Sequence, residues 1–326
     1  MLQNEIAAAE SGLDYFVLDV FTDTRLQGNA LAVVLNPGTL STETMQAIAR
    51  ETNLSETTFI ERRDSEIERR EGVRVRIFTT QEELPFAGHP TLGTASLLRA
   101  IAPECVVDGT VTLALHVGPV PVRFKPQSHA WPAHGTMTQR NPEFGEELDA
   151  AEVAKLTGLT IDDFDPARPI QIVSTGTAFA IVPLRSAESL ARLRVRQDEA
   201  TAFLRARGAR WFYVLGPEAG VSGTDPAAGP QAWRARMQFN GGEDPATGSA
   251  AGCAISQLVR HGAVASGQTI HVRQGIEIAR PSDLFLSARL TEDSQMPTAA
   301  PSRINVTDVR VGGSTILVAK GRLFLP

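Results

Sequence analysis

The chain has 326 residues, 42% of them hydrophobic, more than one hydrophobic core usually organises and enough to pack two domains of ordinary size. Its 31 basic and 37 acidic residues leave a formal net charge of −6, so the totals argue against a nucleic-acid partner. Two cysteines, Cys105 and Cys253, cannot frame a disulfide-stapled fold, and their distance from other cysteines and from clustered histidines argues against a structural zinc site. The start, MLQNEIAAAE, lacks the basic-then-apolar pattern of a secretory signal, and no apolar run approaches the roughly 20 residues that span a bilayer. The expectation is a cytoplasmic protein.

After a short leader, DYFVLDVFT (14–22) has the β-branched and aromatic content of a strand, and GNALAVVL (28–35) reads as its hairpin partner. Ser41 is a candidate N-cap, and Met45, Ile48 and Ala49 fall at the spacing of a helix that should end near Asn53. LSETTFIE (54–61) reads as a strand. The run ERRDSEIERREG (61–72) mixes five acids with four arginines and is read as a solvated hairpin tip without function. In VRVRIF (73–78), Val73, Val75 and Ile77 alternate with Arg74 and Arg76, a strand with one buried face. It leads into ELPFAGHPTLGTA (83–95), where a histidine among glycines and small residues should open a helix.

Residues 126–145 are rich in Pro, His and Gly and hold no sustained period, which places a domain boundary near their end and gives domains 1–142 and 143–326, with room for the last strand to return to the first. AAEVAKLTGL (150–159) restarts helical spacing and IQIVSTGTAFAIVPL (170–184) reads as a strand pair. SAESLARL (186–193) and QDEATAFLRARG (197–208) read as amphipathic helices, WFYVL (211–215) as a buried strand and GTDPAAGP (223–230) as a loop.

A short motif occurs twice. PTLGTA at 90–95 and PATGSA at 245–250 share Pro, Gly, a hydroxyl residue and Ala in register, an offset of 155 from Pro90 to Pro245. Each precedes small and apolar residues at helical spacing, so each half of the chain should carry one such helix start. The first N–H groups of a helix lack intrahelical acceptors and carry partial positive charge, which suits a carboxylate or a developing oxyanion. His89 precedes the first Pro and Asp244 the second, which would put proton-trading side chains at equivalent stations. The duller reading is a pair of capped, tightly packed helices, with His89 and Asp244 as packing or capping residues and Cys253 as core filling.

LQGNALAVV (26–34), NLSETTF (53–59), RIFTTQEELPFAGHPTLGTA (76–95), GEDPATGSAAG (242–252) and QGIEIARPS (274–282) together resemble the PhzF, or phenazine biosynthesis, isomerase-like proteins, which belong with the diaminopimelate epimerase fold. The resemblance implies an α+β fold of two pseudo-symmetric domains, each a curled, mostly antiparallel sheet or barrel around a central helix, with the site between them. It also implies a homodimer without metal, flavin or nucleotide cofactor, acting on a small carboxylate-bearing metabolite. On the matching motifs, Glu56 is the general acid/base, and His89 and Asp244 are its proton-handling and orienting partners. Ser249, Gly88, Ser55, Gly248, Thr247 and, more weakly, Asn29 line the substrate. A carboxylate that removes and returns a carbon-bound proton works best with its pKa raised toward neutrality, as burial would do.

Two departures from the family pattern stand out. Thr80 occupies a position that is usually Pro, and the loop MQFNGG (237–242) before Asp244 is shorter than usual. The leading reading is a cofactor-independent, proton-shifting isomerase. The alternatives are a catalytically silent small-anion binder of the same fold and an amino-acid racemase or epimerase.

Overall fold

A computed structural model of the chain describes residues 12–38, 40–218, 231–239, 242–292 and 304–325; the loop expected at 223–230 lies outside them. The chain falls into two compact units, Met1–Met137 with Gly313–Pro326, and Thr138–Gly312.

The first unit is built on β1 (Leu13–Val20), β2 (Asn29–Leu35), β3 (Glu56–Glu61), β4 (Val73–Phe78), the short β5 (Glu83–Leu84), β6 (Thr110–Leu115), β7 (Gly118–Phe124), β8 (Ala133–Thr138) and the end of the long last strand β18 (Ile304–Leu323). Strand order β1-β2-β3-β4-β6-β7-β8-β18 returns to β1, which pairs antiparallel with β18. Closure removes the sheet edges. The hairpin expected at 14–35 forms, and its turn needs Gly28 at φ +68°, where an added Cβ would lie 2.4 Å from the carbonyl oxygen of Val20.

Helix α1 (Thr42–Thr52) carries β2 to its parallel neighbour β3. It begins at Ser41, whose hydroxyl accepts from the N–H of Thr44, and ends at left-handed Asn53, with Met45, Ile48 and Ala49 buried as the spacing required. The charged run departs from expectation. It folds as α2 (Ser65–Glu71), capped by Asp64, with acids in its first turn and Arg69 and Arg70 in its last, an order that suits the helix dipole. Glu68 is buried there, taking both of its carboxylate oxygens to the Arg62 guanidinium at 3.0 and 3.1 Å. Charge alternation alone did not show that one acid turns inward.

Helix α3 (Gly88–Ile101) links β4 to parallel β6. Every residue from Gly88 to Leu98 is buried, and the helix touches β1, β2, β3, β6 and β7, so it is the core of the barrel rather than a surface helix. Gly93 permits this fit: a Cβ there would meet Leu31 and Val20 side chains at 2.6 and 2.8 Å.

The second unit runs β9 (Glu143–Glu147), β10 (Gln171–Ser174), β11 (Ala178–Pro183), β12 (Phe212–Pro217), β13 (Ala232–Arg236), β16 (Ile270–Gln274), β17 (Ser282–Glu292) and the start of β18, in that sheet order, with a small hairpin of β14 (Gln238–Phe239) and β15 (Gly242–Glu243). Its central helix is α6 (Gly248–Arg260), buried from Gly248 to Val259 and packed against β10, β11 and β17. Cys253 is core filling inside it, fully buried. Helices α4 (Ala150–Thr157) and α5 (Gln197–Arg205) pack Val153, Leu156, Ala200 and Leu204 into a separate cluster with β10, β11 and β12. The segment expected as an amphipathic helix at 186–193 is a 3₁₀ helix, Ala187–Arg192.

The two units repeat one topology. In the first, successive sheet neighbours from β1 to β8 pair antiparallel, parallel, antiparallel, parallel, antiparallel, antiparallel. From β10 to β18 the second gives the same sequence of pairings, and in both the central helix fills the second parallel crossover.

Candidate active site

Glu56 is the first residue of β3, Asn29 the first of β2 and His89 the second of α3. The fold brings the three together. Asn29 Nδ2 lies 3.1 Å from His89 Nδ1, and His89 Nε2 lies 3.5 Å from Glu56 Oε2. Asn29 is 1% exposed and His89 3%, so the imidazole has almost no water, and burial pushes its pKa down to about 3. The contact with Glu56 is therefore that of a neutral ring facing a carboxyl, although its distance alone would admit an ion pair. Ser55 is half-buried just before β3 and Gly88 is buried as the first residue of α3.

In the second unit Asp244, 7% exposed, accepts a 2.6 Å hydrogen bond from the Thr247 hydroxyl. The N-cap of α6 is Thr247 rather than Asp244, and the Thr247 side chain makes no capping hydrogen bond. Gln274 ties this corner down. Its amide donates to the Asp244 carbonyl and the Thr247 hydroxyl, both at 2.9 Å, while its oxygen accepts from Thr247 N–H and Tyr213 O–H at 3.1 Å. Gly248 offers its carbonyl to Gln139, and Gly252 leaves room for that side chain, since a Cβ there would sit 1.9 Å from Gln139 Oε1. Ser249, the second residue of α6, is buried, and its hydroxyl has no hydrogen-bond partner among the described residues. Sequence reasoning missed Gln274, Tyr213 and Gln139, whose importance lies in contacts far along the chain.

The central helices differ from the others in their first turns. Ser41, Asp64 and Asp149 cap α1, α2 and α4, and α5, uncapped, has Asp198 and Glu199 in its first turn. Only α3 and α6, among the described α-helices, lack both a side-chain cap and a first-turn acid. Neither helix offsets its positive end with a cap or acid of its own first turn, an arrangement that suits an anionic ligand.

The repeat also needs correcting. The helices begin at Gly88 and Gly248, an offset of 160 rather than 155, so Pro90 lies inside α3 while Pro245 precedes α6. His89 and Asp244 are not at equivalent stations; the residue at His89's station is Ser249, and Asp244 stands where the first unit has Leu84. The matching stretches are RIFTTQEELPFAG (76–88) and RMQFNGGEDPATG (236–248), equal in length. Both share a bidentate clamp: Arg76 holds Glu83 at 2.8 and 2.7 Å, and Arg236 holds Glu243 at 2.8 and 2.5 Å, seven residues on in each case. The pattern R-x₆-E-x-P-x-x-G, read twice, was the available signal. At the Thr80 departure, the turn is held by Thr79, whose hydroxyl accepts from the N–H groups of Gln81 and Glu82.

Among the described residues, no group of three or more His, Cys, Asp or Glu side chains is arranged to hold a metal ion, and no helix is long and apolar enough to cross a membrane. The model of the PhzC-PhzF family, described as phenazine biosynthesis-like protein, matches residues 18–321. The chain belongs to this family. A PhzC-PhzF relative, the trans-2,3-dihydro-3-hydroxyanthranilate isomerase of Pseudomonas aeruginosa, is 34% identical over 314 residues, 95% of this chain and 99% of the relative. An uncharacterized isomerase of Mesorhizobium japonicum is 32% identical over 318 residues, 96% and 99% of the two chains. The solved structure of a predicted epimerase from Pseudomonas aeruginosa superposes with a TM-score of 0.76 at 33% identity, covering 96% of this chain and all of that one. This PhzC-PhzF member is an isomerase.

Proposed function

We propose that the enzyme moves a proton between carbons of a small, carboxylate-bearing, unsaturated or cyclic metabolite without a cofactor, with Glu56 as the proton carrier. The observation that carries this reading is Glu56 facing the buried, neutral imidazole of His89 at 3.5 Å. In it, the Glu56 carboxylate takes a proton from a carbon of the substrate and returns it to another carbon of the same conjugated system. The neutral ring of His89 donates an N–H without adding a charge, and the uncapped start of α3 stabilises the enol or dienol charge that develops between the two transfers. Asp244 orients the substrate. The Ser249 hydroxyl and the N–H groups of Gly248 and Ser249 bind its carboxylate beside Thr247, whose own N–H is held by Gln274; the open hydroxyl of Ser249 and the absence of a first-turn acid in α6 support this. Gly88 and Ser55 allow close approach beside the carrier.

A racemase would need two proton carriers serving opposite faces. Cys253 is the sixth residue of α6, fully buried with its thiol pKa pushed up to about 11, and Cys105 lies in a 3₁₀ turn after α3, also raised by burial. Neither stands at a helix start, which favours the single-carrier reading. A silent binder would be expected to have lost part of the Asn29–His89–Glu56 arrangement, and all three are in place. The resemblance also carries a homodimer, which light scattering would check, and the sequence reading a cytoplasmic location, which cell fractionation would check. For the chemistry, the protein is incubated with a cell metabolite extract in D₂O and compounds that gain or relocate deuterium are identified by mass spectrometry. Glu56→Gln should lower turnover of any substrate so found by about 10²–10⁴-fold. Unchanged turnover would end the proposal.

A further inference from the structure

We infer that Asn29 is a positioning residue that fixes His89 as the tautomer carrying its proton on Nε2, aimed at Glu56. The Asn29 amide from β2 faces the ring 3.1 Å from Nδ1, and the Glu56 carboxyl from β3 faces it 3.5 Å from Nε2. An amide nitrogen can only donate, so a ring nitrogen facing Asn29 Nδ2 must hold its lone pair outward and accept. In a neutral imidazole the proton then sits on the other nitrogen. Asn29 thus decides what Glu56 meets. With the proton on Nε2 the carboxylate faces a donor; with the proton on Nδ1 it would face a lone pair and be repelled.

The backbone aims Asn29 with little freedom. It follows Gly28 at φ +68°, and the turn before it is held by Asp19, whose carboxylate accepts from Leu26 N–H at 2.6 Å. It enters β2 opposite Val20, and its side chain is almost wholly enclosed. The second unit repeats this strand and helix arrangement without the chemistry. Ala178 opens β11 where Asn29 opens β2, Phe212 opens β12 where Glu56 opens β3, and Ser249 takes the station of His89. The three polar groups therefore occur together in one copy and are absent together from the other, as a device made of interdependent parts would be.

The inference rests on the proposed isomerase reading for its kinetic consequence, but its first test does not need a substrate. Protein labelled with ¹⁵N-histidine is examined by NMR near neutral pH, with His89 assigned by comparison with His89→Gln. The expected signature is a neutral ring, protonated at Nε2 and bare at Nδ1. In Asn29→Asp, which presents an acceptor of nearly the same shape, the proton should move to Nδ1; in Asn29→Leu the preference should fade, with the two forms in exchange. With a substrate in hand, Asn29→Asp should lower kcat by tenfold or more while KM changes less than threefold. A wild-type ring protonated at Nδ1, a cationic ring, or a tautomer that ignores both substitutions would overturn the inference. Correct tautomers with no loss of kcat in Asn29→Asp would reject its catalytic consequence, and would leave Glu56→Gln to judge the isomerase proposal separately.

Discussion

At the scale of single residues, the burial of His89 costs the protein stability in acid. The folded ring titrates at about 3, whereas an unfolded imidazole takes its proton near 6.5. The unfolded chain therefore binds the proton first as pH falls. The stability tied to keeping His89 neutral is complete above about 6.5 and is lost progressively down to about 3. The loss is on the order of a few kcal/mol across that window. His89→Gln has no such proton to take up. Its melting temperature should fall less between pH 7 and pH 4.5 than that of the wild type, as measured by differential scanning calorimetry. Parallel curves would mean that the ring is not held neutral.

At the scale of elements, the duplicated Arg–Glu clamps fasten the strand before each central helix to the hairpin that leads into it. The two differ in burial. Arg236 and Glu243 have side chains 6% exposed each, and Arg236 also donates to the Leu190 carbonyl, whereas Arg76 and Glu83 are 14% and 20% exposed. Removing one partner of a buried pair leaves a charge without compensation, which costs about 3–5 kcal/mol, while a wetter pair loses less. Glu277 remains 3.8 Å from Arg236 Nε, so Glu243→Gln should destabilise the protein toward the lower end of that range in chemical denaturation, and Glu83→Gln by clearly less. Equal losses would show that burial does not rank them. These clamps mark the limit of what the sequence disclosed about elements. Strands with clear alternation and the helix capped by Ser41 were legible because their signals are local. The inward turn of Glu68, the 3₁₀ form of 187–192 and the true register of the repeat were not, because hydropathy and charge patterns do not show which side chains pair; Glu68 turns inward to meet Arg62, six residues before it.

At the scale of the whole molecule, two units share one topology, but only one bears a carboxylate at the start of its third strand. The candidates Glu56, His89, Asp244 and Ser249 came from short motifs, and the structure sets Glu56 beside His89 in the first unit and Asp244 and Ser249 at the start of α6 in the second. What the motifs could not show is that His89 and Ser249 occupy the same helical station with different chemistry. That asymmetry leads to the last prediction. If Glu56 alone takes the proton off and puts it back, both transfers occur on one face of the substrate, and the proton is held only briefly on the carboxyl. Part of the substrate's own hydrogen should then appear in product even when the reaction is run in D₂O. Two carriers, as in an enzyme that inverts a stereocentre, would deliver the incoming proton from solvent instead. A single-turnover reaction with substrate labelled at the migrating position separates these cases by mass spectrometry. Retention of a measurable fraction of the label is expected, together with turnover within about twofold of wild type in a folded Cys105→Ala, Cys253→Ala variant, since thiols enclosed by core or turn contacts hold no proton in the reaction. Complete exchange with solvent, or loss of activity in that variant, would require a second proton carrier and return the racemase reading to first place.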